Sequence, residues 1–189
     1  MRKTYLVLIA LISFAFTVKA QIEYSFKIDF GYLKFSGFTV KVDPGPNWKG
    51  YYLKNRQNGL DFTCVNGITN SNKNLFLGIG LSYINFEGIN GFSVFTDLDY
   101  RPLKRRISPL LNVNAGYNQI WNQYSGGTNT SLFELGAGLD YKISNNISIS
   151  AMTGLMFLQQ SLFTPIKMGL QWYNTRSSIN GVKRNPIFL

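Results

Sequence analysis

Apolar and polar residues alternate with a period of two along most of this chain. Between Ser131 and Ile143 the odd positions are apolar or aromatic, as at Phe133 and Leu135, whereas the even positions include Glu134 and Asp140. Successive side chains of a β-strand point to opposite faces of the sheet, so a period of two indicates a strand with two chemically different faces. The pattern therefore predicts an all-β protein.

Eight such segments can be laid out, each near the roughly 9 to 11 residues that a tilted strand needs to cross a bilayer. They are Ile22–Leu33, Gly59–Gly67, Leu75–Phe86, Phe92–Arg101, Pro109–Trp121, Ser131–Ile143, Ile147–Leu158 and Phe163–Trp172. In each segment one face is uncharged and apolar, with aromatic residues recurring from strand to strand, while the opposite faces together carry the glycines, amides and acids. A lipid-facing exterior and a polar interior produce this pattern. We predict an eight-stranded antiparallel up-and-down transmembrane β-barrel.

The connections between these segments alternate between turns and loops. The predicted turns are Asn70–Asn74, Arg101–Ser108 and Ser144–Asn146, and the predicted loops are Lys34–Asn58, Glu87–Gly91, Asn122–Thr130 and Gln159–Leu162. Bacterial barrels place short turns in the periplasm and longer loops outside the cell. The first loop is the longest, and we expect a hairpin in it around Asp43–Asn47, where prolines and glycine interrupt two strand-like runs.

Both ends of the chain differ from the alternating region. Residues 1–20 have the three parts of a secretory signal peptide, namely Arg2 and Lys3, an apolar run from Tyr5 to Val18, and a small residue, Ala20, at the cleavage position. The mature chain would begin at Gln21, with the barrel spanning residues 21–173. Residues 174–189 contain turn-forming dipeptides and are expected to form a periplasmic tail.

Glycine and aromatic residues recur in the predicted strands, as in Leu77–Tyr83, Phe95–Tyr100, Ser108–Tyr117 and Phe163–Trp172. This recurrence of glycine and aromatic residues resembles the small OmpA/OmpX-type outer-membrane barrels of Gram-negative bacteria, and most closely the outer membrane protein beta-barrel domain family. The resemblance covers nearly the whole mature chain and implies an outer-membrane location. It rests on periodicities, which carry no catalytic motif. Such barrels usually end on an aromatic residue of the last strand, and here Trp172 fits but a tail follows it.

The chain carries 19 Lys and Arg against 9 Asp and Glu, a net charge of +10. Most of the bases lie in predicted loops, turns and the tail, where they form no continuous stripe. This distribution favours attraction to outer-membrane lipid headgroups and lipopolysaccharide phosphates over nucleic-acid binding. A protein partner that binds the first loop or the tail is also possible.

Eleven charged residues fall on the polar faces of the predicted strands. They are Glu23, Lys27, Asp29, Asp61, Asp97, Asp99, Arg101, Glu134, Asp140, Lys142 and Lys167. The interior of an eight-stranded barrel is just wide enough for side chains, and buried charges are costly unless paired. We therefore predict an ion-paired network in a closed polar lumen. A paired-carboxylate site formed by Asp97 and Asp99 with Asp61 or Glu134 is the alternative.

The chain has no histidine, the usual general base or acid of outer-membrane barrel enzymes, and it has a single cysteine, Cys64. We therefore predict a non-enzymatic protein, with no catalytic residues, no metal site and no cofactor.

The first loop carries an aromatic and basic cluster made of Trp48, Lys49, Tyr51 and Tyr52. An exposed cluster of this kind is a candidate contact site for a glycan, a lipid or a protein partner.

The leading functional hypothesis is an integral outer-membrane protein that acts structurally, or binds a partner or surface ligand through its extracellular loops. Three alternatives remain open. The protein could be a subunit of a larger envelope or secretion complex, or it could be a small pore. It could also be a soluble lipocalin-like barrel that binds an apolar ligand, which requires the apolar faces to point inward.

Overall fold

Eight strands form a closed barrel in the computed structural model, which describes residues 22–39, 58–86, 89–121, 128–158 and 161–174. The strands are β1 (Ile22–Thr39), β2 (Gly59–Asn70), β3 (Leu75–Phe86), β4 (Ile89–Tyr100), β5 (Ile107–Ile120), β6 (Thr128–Lys142), β7 (Ile147–Leu158) and β8 (Ser161–Asn174). Each strand pairs antiparallel with its neighbours in sequence, and β1 pairs with β8 to close the barrel. The predicted fold is confirmed. Within the described ranges, no helix is long and apolar enough to cross a membrane.

Several strands extend beyond the predicted segments. β1 continues past Leu33 because its backbone still finds a partner in β8, where Thr39 pairs with Ser161. The predicted loop from Glu87 to Gly91 is shorter than expected because Phe86 pairs with Ile89. These extensions fall outside the regular alternation, so periodicity alone could not place them. The signal peptide, the hairpin expected in the first loop and the predicted tail lie outside the described residues.

The two faces of the barrel wall have the polarity expected of a membrane-spanning barrel. In β3, the outward-facing Leu77, Ile79 and Leu81 are 46%, 67% and 54% exposed, whereas the inward-facing Phe76 and Ser82 are buried. The other strands repeat this arrangement, with large apolar side chains outside, and the buried acids lie on the inward faces of β1, β2, β4 and β6. The soluble lipocalin-like alternative required the reverse orientation and is wrong on this point.

Aromatic residues lie at both rims of the outer surface. We call the rim that carries the β2–β3, β4–β5 and β6–β7 connections the turn end, and the opposite rim the loop end. Tyr83, Phe92 and Trp121 form a cluster at the loop end, with ring centroids 5.7 Å apart for the first pair and 6.1 Å for the second. Tyr100 and Trp172 are exposed at the turn end. Aromatic girdles of this kind mark the two membrane interfaces of transmembrane barrels.

The lumen is divided into an apolar half and a polar half. At the loop end, inward-facing apolar side chains form a layer that we call the loop-end plug. It consists of Leu33, Ile84, Phe86, Ile89, Ile120, Leu132, Leu158 and Phe163, each at most 4% exposed. The rings of Phe86 and Phe163 lie 5.0 Å apart at its centre. The loop end of the lumen is therefore mainly apolar, because most inward positions near the loops carry large apolar residues, and the buried charges lie mostly between the plug and the turn end.

Between the two halves, Phe95 of β4 lies over Gly80, its register partner in β3. A methyl group at position 80 would come within 2.5 Å of the Phe95 ring. The missing side chain therefore makes room for the Phe95 ring against the inner wall. A small residue opposite a large one is how a narrow barrel fills its interior.

Candidate functional site

Nine charged side chains are buried in the polar half of the lumen. They are Lys27 and Asp29 on β1, Asp61 on β2, Asp97 and Asp99 on β4, Arg101 just after β4, Glu134 and Asp140 on β6, and Lys167 on β8. Each is at most 4% exposed, which places it out of reach of bulk solvent. All of them face inward because each strand segment keeps its two-residue register. The set holds six carboxylates and three cations, so the lumen has an excess of acid.

Lys27 is at the centre of one part of the network. Its Nζ lies 3.0 Å from Asp99 Oδ2 and 3.7 Å from Asp29 Oδ2, and it also contacts Asp97. The same ammonium lies 5.3 Å from the centroid of the Phe76 ring. One cation therefore neutralises carboxylates on two strands that are not neighbours, and an aromatic face adds further stabilisation.

Arg101 continues this network toward the turn end. Its Nη2 donates to Asp99 Oδ2 at 3.1 Å, and its Nε lies 3.2 Å from Asp140 Oδ1. It also donates to the amide oxygen of Gln171. The planar guanidinium thus connects residues of β4, β6 and β8 from a position just beyond the end of β4.

Lys167 is at the centre of a second cluster. Its Nζ lies 2.9 Å from Asp61 Oδ2 and 2.7 Å from Glu134 Oε2. Thr63 and Ser82 donate to the other oxygen of Asp61. The carboxylate of Asp61 is therefore bonded at both oxygens, whereas Glu134 Oε1 has no hydrogen-bond partner among the described residues.

Two asparagines of β5 connect the two clusters. Asn112 donates to Asp97 at 2.8 Å and to Asp99 at 2.7 Å, and Asn114 donates to Glu134 at 3.2 Å. Both asparagines lie on the polar face of the predicted segment Pro109–Trp121, but the predicted network left them out because only charged residues were selected. Their spacing of two residues along one strand is the signal that could have included them.

Two buried residues near the turn end were also missed. Gln171 donates to Ser25 at 2.8 Å, and the hydroxyl of Tyr173 lies 3.0 Å from Ser148, which itself donates to Asp140. Tyr173 is 1% exposed and faces the lumen. Like the asparagines, these side chains are uncharged, and only their position on the inward face of β8 points to them.

Glu23 and Lys142, which were predicted in the network, lie at the rim instead. Glu23 faces Lys73 of the β2–β3 turn, with 3.8 Å between Oε2 and Nζ. Lys142 is the last residue of β6, is partly exposed and forms no ion pair with another described residue. Both are inward by register, but they lie too close to the strand ends to reach the central clusters. The loop contact candidates Trp48, Lys49, Tyr51 and Tyr52 lie outside the described residues.

The carboxylates of the paired-carboxylate alternative do come together, but around cations. Asp97 and Asp99 share Lys27 and Asn112, and Asp61 and Glu134 share Lys167. A general acid or base must reach the proton that it transfers in a bound substrate. Carboxylates that are buried and held by cations favour a structural role for the network over a catalytic one.

Comparison with solved structures supports the fold. The chain is similar to Neisserial surface protein A (NspA) of Neisseria, with a TM-score of 0.61 and 10% identity over 79% of this chain and 96% of that one. It is also similar to the N-terminal β-barrel domain of Pseudomonas aeruginosa OprF, with a TM-score of 0.50 and 14% identity over 81% and 99% of the two chains. The chain has the fold of the small OmpA/OmpX-type outer-membrane barrels. No protein-family model and no curated protein matches its sequence.

Proposed function

We propose that this protein is a non-enzymatic integral membrane protein of the bacterial outer membrane. It would act as a structural component, or bind a partner or surface ligand through its extracellular loops. The observation that carries the proposal is a barrel with an apolar outer wall and a lumen filled along its length. The loop-end plug fills one half and the ion network fills the other. A filled interior leaves the rims and loops as the surfaces available for binding.

The proposed location can be tested by fractionation. We expect the protein to be exported, to lose residues 1–20 and to be recovered from outer membranes only with detergent. We also expect it to migrate faster on gels before boiling than after, because a closed barrel stays folded in detergent until it is heated. Mass spectrometry should find Gln21 at the amino terminus. Release of the protein as a soluble monomer by osmotic shock would contradict the proposal.

We propose the cluster of Trp48, Lys49, Tyr51 and Tyr52 as the contact surface of the first loop. Support comes from its composition, since Trp and Tyr are enriched where proteins bind partners and Lys49 supplies a positive charge that suits lipopolysaccharide phosphates. A variant with all four residues changed to alanine should lose binding to isolated lipopolysaccharide or to a crosslinked envelope partner while it keeps the heat-dependent gel shift. Tyr124→Ala, in a different predicted loop, is the matched control. Equal binding by the quadruple variant and the wild type would contradict this assignment.

A further inference from the structure

An apolar groove crosses the outer wall of the barrel over β6, β7, β8 and β1. It offers about 450 Å³ of space and is lined almost entirely by apolar side chains. Its floor lies at Ala151 of β7, whose register partners are Leu139 on β6 and Met168 on β8. The two flanking strands are about 10 Å apart. A single methyl group between two long side chains therefore leaves a channel in this part of the outer surface.

The groove rises from the turn end toward the middle of the barrel. One row of its lining pairs Tyr141 with Ile149, Ile149 with Leu170, and Leu170 with Ile28. These four residues lie one, two, four and six residues from the turn-end terminus of their own strands. The row thus climbs by five residues, about 16 Å along the strands, which is about 12 Å along the membrane normal for a strand tilt of roughly 40°. That is most of the depth of one leaflet, which is about half of the 30 Å hydrocarbon core.

A positive charge lies at the turn-end mouth of the groove. The guanidinium of Arg106 lies 5.1 Å from the centroid of the Tyr141 ring, and its Nε donates to the carbonyl oxygen of Lys142 at 3.4 Å. Arg106 is exposed and forms no ion pair with another described residue. Lys104 and Arg105, beside it in the same turn, are also exposed. The mouth of an apolar channel therefore carries an exposed guanidinium, with two further bases in the same turn.

From this arrangement we infer that the groove binds one anionic phospholipid of the periplasmic leaflet, with an acyl chain along Ala151 and the phosphate at Arg106. The apolar channel matches the chain, and the basic turn matches the phosphate. The turn end faces the periplasm in barrels of this type, which selects a phospholipid over lipopolysaccharide. The inference rests on the proposed membrane location and adds a specific lipid site to it.

The test is native mass spectrometry of the full mature protein, extracted from membranes and titrated with phosphatidylglycerol or phosphatidylcholine. We expect the wild type to retain phosphatidylglycerol preferentially. Arg106→Gln should lower that preference about five-fold, the effect of one basic residue beside an anionic lipid surface. Ala151→Trp should fill the channel and abolish retention of both lipids. Since Arg106 is an exposed turn residue, its variant remains informative even if Ala151→Trp fails to fold.

Two matched controls separate this site from general lipid contact. Ala115→Trp adds the same bulk to the outward face of β5, away from the groove, and Lys34→Gln removes a charge at the loop end. Neither should change phosphatidylglycerol retention. Equal retention of the two lipids, equal losses in the controls, or a preference for added lipopolysaccharide would overturn the inference. Absence of the protein from the membrane fraction would instead count against the proposed location.

Discussion

Lys27 Nζ lies 3.0 Å from Asp99 Oδ2, although the two residues belong to β1 and β4, which are not neighbours in the barrel. The pair therefore spans the lumen instead of following the sheet. Lys167 of β8 likewise reaches Asp61 of β2 and Glu134 of β6. Backbone hydrogen bonds hold adjacent strands together, whereas these ion pairs link strands that are not adjacent in the sheet.

Asp99 and Asp29 should respond differently to neutralisation. Both oxygens of Asp99 accept hydrogen bonds, from Lys27, Arg101 and Asn112. An asparagine here would therefore have to point its NH2 group at one of these donors. We expect Asp99→Asn to lower the free energy of unfolding by about 3 to 5 kcal/mol, the usual effect of breaking a buried pair. Urea unfolding in detergent, followed by tryptophan fluorescence, measures it.

Asp29→Asn is the matched comparison on the facing strand. Its Oδ2 lies 3.7 Å from Lys27, and its Oδ1 has no hydrogen-bond partner among the described residues. The amide can turn its oxygen to Lys27, and the substitution removes one charge from a lumen with excess acid. We expect a loss of at most about 1 kcal/mol. If Asp29→Asn lowered the free energy of unfolding as much as Asp99→Asn, or more, the difference that their contacts indicate would be contradicted.

The contribution of Lys167 to stability should depend on its two acidic partners, Asp61 and Glu134. Lys167→Met removes the cation shared by Asp61 and Glu134 and should cost about 3 to 5 kcal/mol, because it leaves buried carboxylates unpaired. Adding Glu134→Gln to this variant should restore part of the loss, since one of the two orphaned charges disappears. The same gel-shift midpoint in urea for the single and the double variant would contradict this coupling.

The barrel and its inward charges could be predicted because both follow from the register of a strand. A shift of β4 by one residue in register would turn Asp97 and Asp99 toward the lipid. The charged residues of a strand therefore determine which of its faces points inward. The partners across the lumen could not be predicted, because they depend on which strands face each other after closure. Nothing in the spacing of Lys27 and Asp99 indicates that their side chains meet.

Gly154 and Gly136 are register partners on the inward faces of β7 and β6, yet they should tolerate a side chain differently. A Cβ at Gly154 would overlap the carbonyl oxygen of Leu135, whereas one at Gly136 would meet Asn112 and Met152 at 3.4 Å. Gly154→Ala should therefore cost about 1 to 3 kcal/mol, as overpacking usually does. Gly136→Ala should cost much less in the same unfolding assay. The reverse order would contradict the described approach of the two strands.

The loop-end plug was not predicted, and the reason lies in how the pattern was interpreted. Inward positions were identified by their glycines, amides and acids, as in the middle of β3. Ile84 and Phe86 hold the same parity near the end of that strand but are apolar, so composition did not separate them from lipid-facing residues. Parity alone, applied to the end of each strand, would have placed them inside.

The plug should contribute more to stability than the lipid-facing wall does. Phe163 is fully buried and contacts the rings of Phe86 and Phe35, at 5.0 and 5.6 Å between centroids. Phe163→Ala should cost about 3 to 5 kcal/mol, because it leaves a cavity in the plug. Phe133→Ala, on the outward face of β6, should cost less than half as much, since lipid can fill the space. Similar losses for both would contradict the described packing of the plug.

The barrel should not conduct ions, because two layers close its lumen in series. The loop-end plug excludes water with apolar side chains, and below it Arg101, Lys27 and Lys167 hold the carboxylates in contact across the lumen. Single-channel recordings in planar bilayers should show no current steps for the wild type. The double variant Phe86→Ala/Phe163→Ala should also be silent, since the ion network remains in place. Steps in the wild type would favour the pore alternative, whereas steps in the double variant alone would show that the plug is the only barrier and that ions pass the network.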